Sequence, residues 1–367
     1  MKIVVVAGAR PNFMKVAPVL AELRRDPGEF EPLLVHTGQH YDYQMSDVFF
    51  AELGVPAPDR HLQASTANQI EQTADIMAKF APVLAESAPD LVLVVGDVTS
   101  TPACALVAAK MGVPVAHLEA GLRSGDRTMP EELNRIVTDA LADVLLTPSP
   151  DADANLRAEN VPQRCIHRIG NVMIDTLLRF RPRAAASDVL ERLGAPPGAY
   201  ALVTLHRPSN VDDPDTLRGI LDAFARIQRE LPIFFVVHPR TRGRLEQFGL
   251  SPMLARLPDL HLVDPLGYLD MLRLQEQARL VLTDSGGVQE ETTVLGVPCL
   301  TLRDNTERPI TITEGTNVLV GSRPESIVEH ARAALRGQVQ PKTRPALWDG
   351  HAAERLVAVL RRGICRR

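Results

Sequence analysis

The hydrophobic positions of this chain alternate between two patterns. Short, continuous apolar runs rich in β-branched residues cover 3–7, 32–36, 91–95, 113–118, 144–147, 201–205, 233–237, 280–283 and 298–302. Runs without a polar face predict strands buried on both sides, as in parallel sheets. The segments between them carry helical spacing; in 15–25, Val16, Val19, Leu20 and Leu23 share one stripe. Regular strand–helix alternation predicts βαβ units and a doubly wound α/β architecture. Residues 181–200, rich in Ala, Pro and Arg, read as a loop, and 348–362 as a closing amphipathic helix.

Length turns one sheet into two. A chain of 367 residues suits two α/β domains better than one core. The break falls near 166–172. The expected domains are 1–168, rejoined by a C-terminal helix at 348–367, and 169–347. With 45% hydrophobic but only 4% aromatic residues, both cores should be aliphatic. The net charge of −5, from 40 basic and 45 acidic residues, argues against nucleic acid or an acidic membrane face as a partner. The four cysteines, Cys104, Cys165, Cys299 and Cys365, form no CxxC pair, so neither zinc nor a redox dithiol is suggested. No apolar run approaches membrane-spanning length, and the chain opens directly into a strand. A cytoplasmic enzyme is the expectation.

Ligands of open α/β sheets bind beyond the carboxyl ends of the strands. The polar residues there are Arg10, Gly38-Gln39-His40, Gly96-Asp97, His117 and Glu119, His206-Arg207, His238, and Asp284-Ser285-Gly286-Gly287. The clearest constellation is LTDSGGVQEE at 282–291. A strand ends, a Ser-Gly-Gly turn follows, and a helix begins whose free N–H groups suit phosphate. Glu291, in its first turns, suits ribose hydroxyls. An ordinary Asp- or Ser-capped helix explains the same letters, with about equal weight. No GxGxxG follows the first strand, which argues against a standard nicotinamide enzyme.

Three carboxylates, Asp97, Glu119 and Glu131, follow strands or open a helix in the first half. Asp97 alone reads more readily as a helix cap, and Glu131, after Pro130, as a complement to a helix dipole. Converging on one rim, they would shift each other's pKa and divide acid and base roles. Arg10, Lys15, His206, Arg207, His238 and Arg308 are the cations and imidazoles that would offset a diphosphate, though a lone histidine is usually structural.

In their order and spread these motifs resemble the non-hydrolysing UDP-N-acetylglucosamine 2-epimerases along the whole chain. The matching stretches include GARPNFMKVAPV, HTGQHYD, GDVTST, HLEAGLRSGD, PEELNR, LVTLHRPSN, VVHPR, LVDPLGYLDM, LTDSGGVQEE and LRDNTERPITITEGTN. The resemblance implies a glycosyltransferase-B-like fold, two Rossmann-like domains with the active site in the cleft between them. It implies catalysis by Asp97, Glu119, Glu131 and His206. Substrate contacts would come from Arg10, Lys15, His238, Leu266 and Tyr268 of the uracil segment, Ser285, Gly286, Gly287, Glu291 and Arg308. The reaction implied is 2-epimerisation of a UDP-sugar through elimination of UDP, a 2-acetamidoglucal and re-addition. No cofactor or metal is required, a homodimer is expected, and the product would serve cell-envelope polysaccharide synthesis.

Departures from the family pattern fall at Gly8-Ala9-Arg10-Pro11-Asn12, where many relatives read GTRPE, and at His206-Arg207-Pro208-Ser209-Asn210, where many read HRREN. They leave open a related UDP-acetamido sugar, a hydrolysing epimerase or a glycosyltransferase. Many relatives also bind a second UDP-N-acetylglucosamine as activator, through polar groups matching Gln39, His40, His206 and His238 and through an arginine. In this chain 63–69 holds no basic residue where that arginine is expected, so weak activation is anticipated unless Arg60 or Arg240 substitutes.

Overall fold

Every expected interior strand forms, and the pairing explains why its apolar runs are continuous. In the computed structural model, which describes residues 1–8, 10–38, 54, 56–64, 68–339 and 343–364, two parallel sheets appear. The first contains β1 (Lys2–Ala7), β2 (Glu31–His36), β3 (Arg60–His61), β4 (Leu91–Val95), β5 (Val115–Leu118), β6 (Val144–Thr147) and β7 (Ile166–Arg168), in the order β3-β2-β1-β4-β5-β6-β7. The second contains β8 (Ala201–Leu205), β9 (Ile233–Val237), β10 (Leu260–Val263), β11 (Leu280–Thr283), β12 (Cys299–Thr301) and β13 (Asn317–Leu319), in the order β10-β9-β8-β11-β12-β13. All five residues of β4 are buried, as a strand covered by helices on both faces must be.

The four strands missing from the sequence expectation, β3, β7, β10 and β13, are the four sheet edges. An edge strand has one neighbour and less cover, so it needs no unbroken apolar run. In β10, His261 and Leu262 are both exposed, which breaks the signal.

Residues 181–200 are not simply a loop. Helix Val172–Ala184 runs into them, and a short helix, Val189–Leu193, follows. Val172, Met173, Leu177, Phe180 and Ala184 form the buried stripe that carries the first helix past Pro182.

The chain divides into two compact units, 1–179 with 346–367, and 180–345. The crossing lies inside helix Val172–Ala184 and not at 168. The early turns of that helix are bound into the first unit. The Thr176 hydroxyl donates to the Met14 carbonyl at 2.5 Å, and Asp175 accepts from the Ala352 and Ala353 amides at 3.1 and 2.8 Å. The C-terminal segment adds the indole of buried Trp348, donating to the Pro148 carbonyl at 3.0 Å, and helix Ala352–Arg361. In the second unit, Ile220, Leu221, Phe224, Ile327 and Val328 pack with Val203 and Leu282 in one core layer. Tyr200, Phe234 and Val281 form the other.

Two Rossmann-like parallel sheets in one chain are the glycosyltransferase-B-like plan. Among the described residues no helix is long and apolar enough to cross a membrane. Cys104, Cys165 and Cys299 are buried and in no disulfide among the described residues, and burial pushes the Cys299 thiol up to about 12. Cys365 lies outside the described residues.

Candidate active site

In each sheet the strand order reverses at one place, between β1 and β4 and between β8 and β11. Turns diverge there and leave a crevice at the carboxyl ends. Most of the expected chemical residues fall at these two points.

In the first unit, Asn12 ties the turns together. Its Oδ1 accepts from the Gly8 amide at 3.0 Å and its Nδ2 donates to the Val95 carbonyl at 3.1 Å. Buried Lys15 pairs with Oε2 of buried Glu119. Gly96, with φ +66°, makes room for that pair: a Cβ there would lie 3.2 Å from Lys15 Nζ and 3.4 Å from Glu119 Oε2. Glu119 itself holds φ +72°, a conformation costing a non-glycine residue about 1–3 kcal/mol. Its Oε1 is buried without a hydrogen-bond partner among the described residues. A buried, uncommitted carboxylate oxygen is costly, which marks a position held for something other than stability.

Asp97 lies two residues before the cap position of the helix that follows it. Helix Ser100–Lys110 starts after Thr99 with no side-chain cap, while the Asp97 carboxylate pairs with buried Arg135. Arg135 also binds Glu132, which accepts from the Ser124 and Gly125 amides, each at 2.9 Å. Sequence reads Glu132, like Glu131, only as a complement to the helix dipole and does not reveal Arg135; their i,i+3 spacing on a helix is the available signal. Burial would raise the Glu132 carboxyl, but its hydrogen bonds from the Ser124 amide and Arg135 outweigh that and hold it below its usual value. Glu131 is half-buried, the second residue of helix Pro130–Leu141. Its place in the first turn suits the helix-dipole role as well as the expected catalytic one.

His117 lies within β5 and is fully buried, not at the rim. Its Nδ1 meets Asp139 Oδ1 at 2.6 Å and its Nε2 meets the Gly96 carbonyl at 2.9 Å, so it supports the Gly96-Asp97 turn from beneath. Arg10 opens helix Arg10–Leu23; its side chain, and Gln39 and His40 entirely, lie outside the described residues.

In the second unit, helix Gly286–Leu295 begins at the Ser-Gly-Gly turn. Ser285 occupies the cap position but its side chain makes no capping bond, and Asp284 turns back toward His206. The simple capped-helix reading therefore fails, and the amides of Gly286 and Gly287 begin the helix without a side-chain cap. A Cβ on Gly286 would lie 2.5 Å from the Arg308 guanidinium. Arg308 is buried against Glu290, at 2.6 Å from Nε, and against Glu307. It braces the turn from behind. Arg303 bonds Glu307 at 2.8 Å and Arg207 stands 3.7 Å from it, so three guanidinium groups face two carboxylates. Burial would raise the Glu307 carboxyl; the charges of Arg308, Arg303 and Arg207 hold it far below the usual range instead.

His206 follows β8, with Nδ1 2.9 Å from Asp284 Oδ1 and its side chain 38% exposed. The His238 ring lies 5.5 Å away, and its Nδ1 accepts from the Arg240 amide at 3.2 Å. Glu291 is buried; Tyr268 Oη donates to it at 3.2 Å and Gln275 Nε2 at 2.8 Å. Burial pushes its carboxyl up to about 7 despite those two bonds. Leu266 is half-buried, packed against the core beside Tyr268. Asn68 accepts from the Ile70 and Glu71 amides and so caps helix Gln69–Ser87. Arg60 pairs with Glu86 and Arg240 with Asp212.

Fold and turns define the class first: an α/β enzyme of the nucleotide-sugar type, with a glycine turn opening a helix in one unit and buried carboxylates in the other. The family is then given by comparison. The family model described as UDP-N-acetylglucosamine 2-epimerase matches residues 21–361, and the chain belongs to that family. It is 42% identical to a UDP-N-acetylglucosamine 2-epimerase homolog of Methanococcus maripaludis, over 98% of this chain and 99% of that one. It is also 42% identical to a UDP-2,3-diacetamido-2,3-dideoxy-D-glucuronate 2-epimerase of Pseudomonas aeruginosa, over 93% and 94%. The crystal structure of Methanocaldococcus jannaschii UDP-GlcNAc 2-epimerase in complex with UDP-GlcNAc and UDP superposes with a TM-score of 0.92 at 38% identity, covering 99% of this chain and all of that one.

Proposed function

We propose that this enzyme interconverts UDP-N-acetylglucosamine and UDP-N-acetylmannosamine without net hydrolysis. The observation that carries the chemistry is Glu119: strained, buried, paired to Lys15 through one oxygen and without a hydrogen-bond partner among the described residues at the other. A carboxylate in this state, with Asp97 and Glu131 on neighbouring turns, suits removal of a proton from C2 and its return from the opposite face. As the C2–H bond breaks, its electrons form the C1=C2 double bond and the C1–O bond electrons leave with UDP. Re-addition of the diphosphate oxygen at C1 and protonation at C2 complete the exchange. His206, Arg10 and the amides of Ser285, Gly286 and Gly287 would carry the charge on the departing diphosphate. Glu291, Tyr268 and Leu266 would hold ribose and uracil, with Lys15 and His238 completing the substrate contacts and Arg308 bracing the turn that meets the diphosphate.

The test is incubation with UDP-N-acetylglucosamine in deuterated water. Deuterium should enter C2 of both epimers while the UDP-sugar pool persists. Accumulation of UDP and free sugar would instead indicate hydrolysis. Exchange with UDP-2,3-diacetamido-2,3-dideoxy-D-glucuronate but not with the simple sugar would move the substrate to the P. aeruginosa relative's. The family resemblance also supports a homodimer acting in the cytoplasm, where UDP-sugars are made; a monomer mass by light scattering would remove the dimer.

A further inference from the structure

Asp284 is the last polar residue before the phosphate turn, yet it makes no bond to the helix that follows. It is completely buried. Its oxygens collect donors from the neighbouring strand end, the His206 amide at 3.0 and 3.1 Å, the Arg207 amide at 2.9 Å and Asn210 Nδ2 at 3.1 Å, while His206 Nδ1 stands at ion-pair distance, 2.9 Å, from Oδ1. Asn210 Nδ2 also donates to the Leu302 carbonyl at 2.8 Å, joining the ends of β8, β11 and the segment after β12. Burial would raise the Asp284 carboxyl, but the hydrogen bond and charge of His206 and the two amides outweigh it and hold it below its ordinary value.

We propose that Asp284 is the positioning residue for His206: it fixes the ring with a proton on Nδ1 and leaves Nε2 as the atom that, once it too is protonated, donates to the diphosphate. The argument is geometric. An ionised carboxylate can only accept, so the ring nitrogen facing it must donate. An imidazole otherwise free would spin about χ1 and χ2 and exchange tautomers. Here the backbone at 206–207 and the ring are gripped by the same carboxylate. Asn210 holds that carboxylate in turn, through a side chain in one of the two segments where the chain departs from the common family motif. Because Asp284 belongs to β11's end and His206 to β8's, one group sets the imidazole relative to the Ser285-Gly286-Gly287 amides. This inference rests on the proposed reaction for its consequence, but its structural half can be read without any turnover.

Two measurements test it. The first is the ring ¹⁵N spectrum of histidine-labelled protein in alkaline buffer, with His206 assigned by its loss in His206→Asn. The Nδ1–H tautomer is expected for His206, against the Nε2–H form that free imidazole side chains prefer. The Nε2–H form in the wild type would overturn the proposal, whether or not the enzyme epimerises UDP-N-acetylglucosamine. The second is a double-mutant cycle on C2 deuterium exchange. Asp284→Asn should lower kcat on the order of 10–100-fold, the range for groups that orient a functional histidine. In the His206→Asn background the same change should cost less than about threefold, because its partner is gone. Additive losses in the double variant would make Asp284 a general structural residue and sink the idea. If Asp284→Asn fails to fold, Asn210→Ala takes its place in the cycle with the same expected non-additivity. An inactive wild type with the Nδ1–H signature intact would count against the reaction and leave the positioning role standing.

Discussion

At the scale of single residues, the site is a set of costly arrangements that stability alone would not retain. Glu119 combines a left-handed backbone with burial and an uncommitted oxygen. Replacing it by Gln, or making Asp97→Asn or Glu131→Gln, should reduce turnover by about 10²-fold or more, the contribution expected of general acid–base groups. UDP binding should be nearly unchanged in all three; near-normal turnover in all would remove the carboxylates from the reaction. Glu291 gives a pH prediction. Its carboxyl is pushed by burial from the usual 4.5 to about 7, so the folded state binds the proton more tightly than the unfolded one. Stability from this group is therefore greatest below 4.5 and is lost as the pH climbs to about 7, a difference of about 3 kcal/mol. Hydroxyl donors from a bound ribose would favour the ionised form, so UDP binding near neutrality should release a proton. Calorimetry in buffers of different ionisation enthalpy reads that release. A UDP-induced thermal shift and proton release identical in wild type and Glu291→Ala would place the ribose elsewhere.

At the scale of elements, legibility followed burial. Interior strands such as β4 and β8 are covered on both faces, and their apolar runs could be bounded from sequence almost to the residue. Edge strands such as β3, two exposed residues long, carry no such run. The site divided in the same way. Asp97, Glu119 and His206 could be singled out because they follow apolar runs, but Asn12, Arg135, Asp139 and Asn210 act through partners 22 to 92 positions away in the chain, which periodicity does not encode. The C-terminal helix was readable as a helix, but not the latch that holds it. Gly170, at φ +92°, abuts Leu347, itself at +65°; a Cβ on Gly170 would sit 2.1 Å from the Leu347 carbonyl oxygen. Gly170→Ala should therefore cost more than about 2 kcal/mol in urea denaturation, through both strain and collision. Asp175→Ala should cost about 1–2 kcal/mol, because it removes the acceptor for the Ala352 and Ala353 amides. Midpoints equal to wild type in both variants would show that this latch contributes little to folding.

At the scale of the whole molecule, the residues of the proposed reaction fall in two units with separate cores. The carboxylates Asp97, Glu119 and Glu131 belong to the first unit, and the Ser-Gly-Gly turn, His206 and Glu291 to the second. The proposed reaction needs both, since the C2 proton and the departing diphosphate are handled by different groups in one step. A ligand that carries only the nucleotide should then order only the nucleotide's residues, while a complete UDP-sugar should order both sets. Hydrogen exchange separates the cases. UDP alone should slow exchange at 204–207 and 284–291 and leave the turns at 96–97 and 119–120 at their free rates. UDP-N-acetylglucosamine should slow all four segments, because contact with the sugar stabilises turns whose resting geometry is strained at Glu119. Protection of the 96–97 and 119–120 turns by UDP to the same extent as by the UDP-sugar would mean that these carboxylates respond to the nucleotide. Protection by neither would detach them from the substrate altogether.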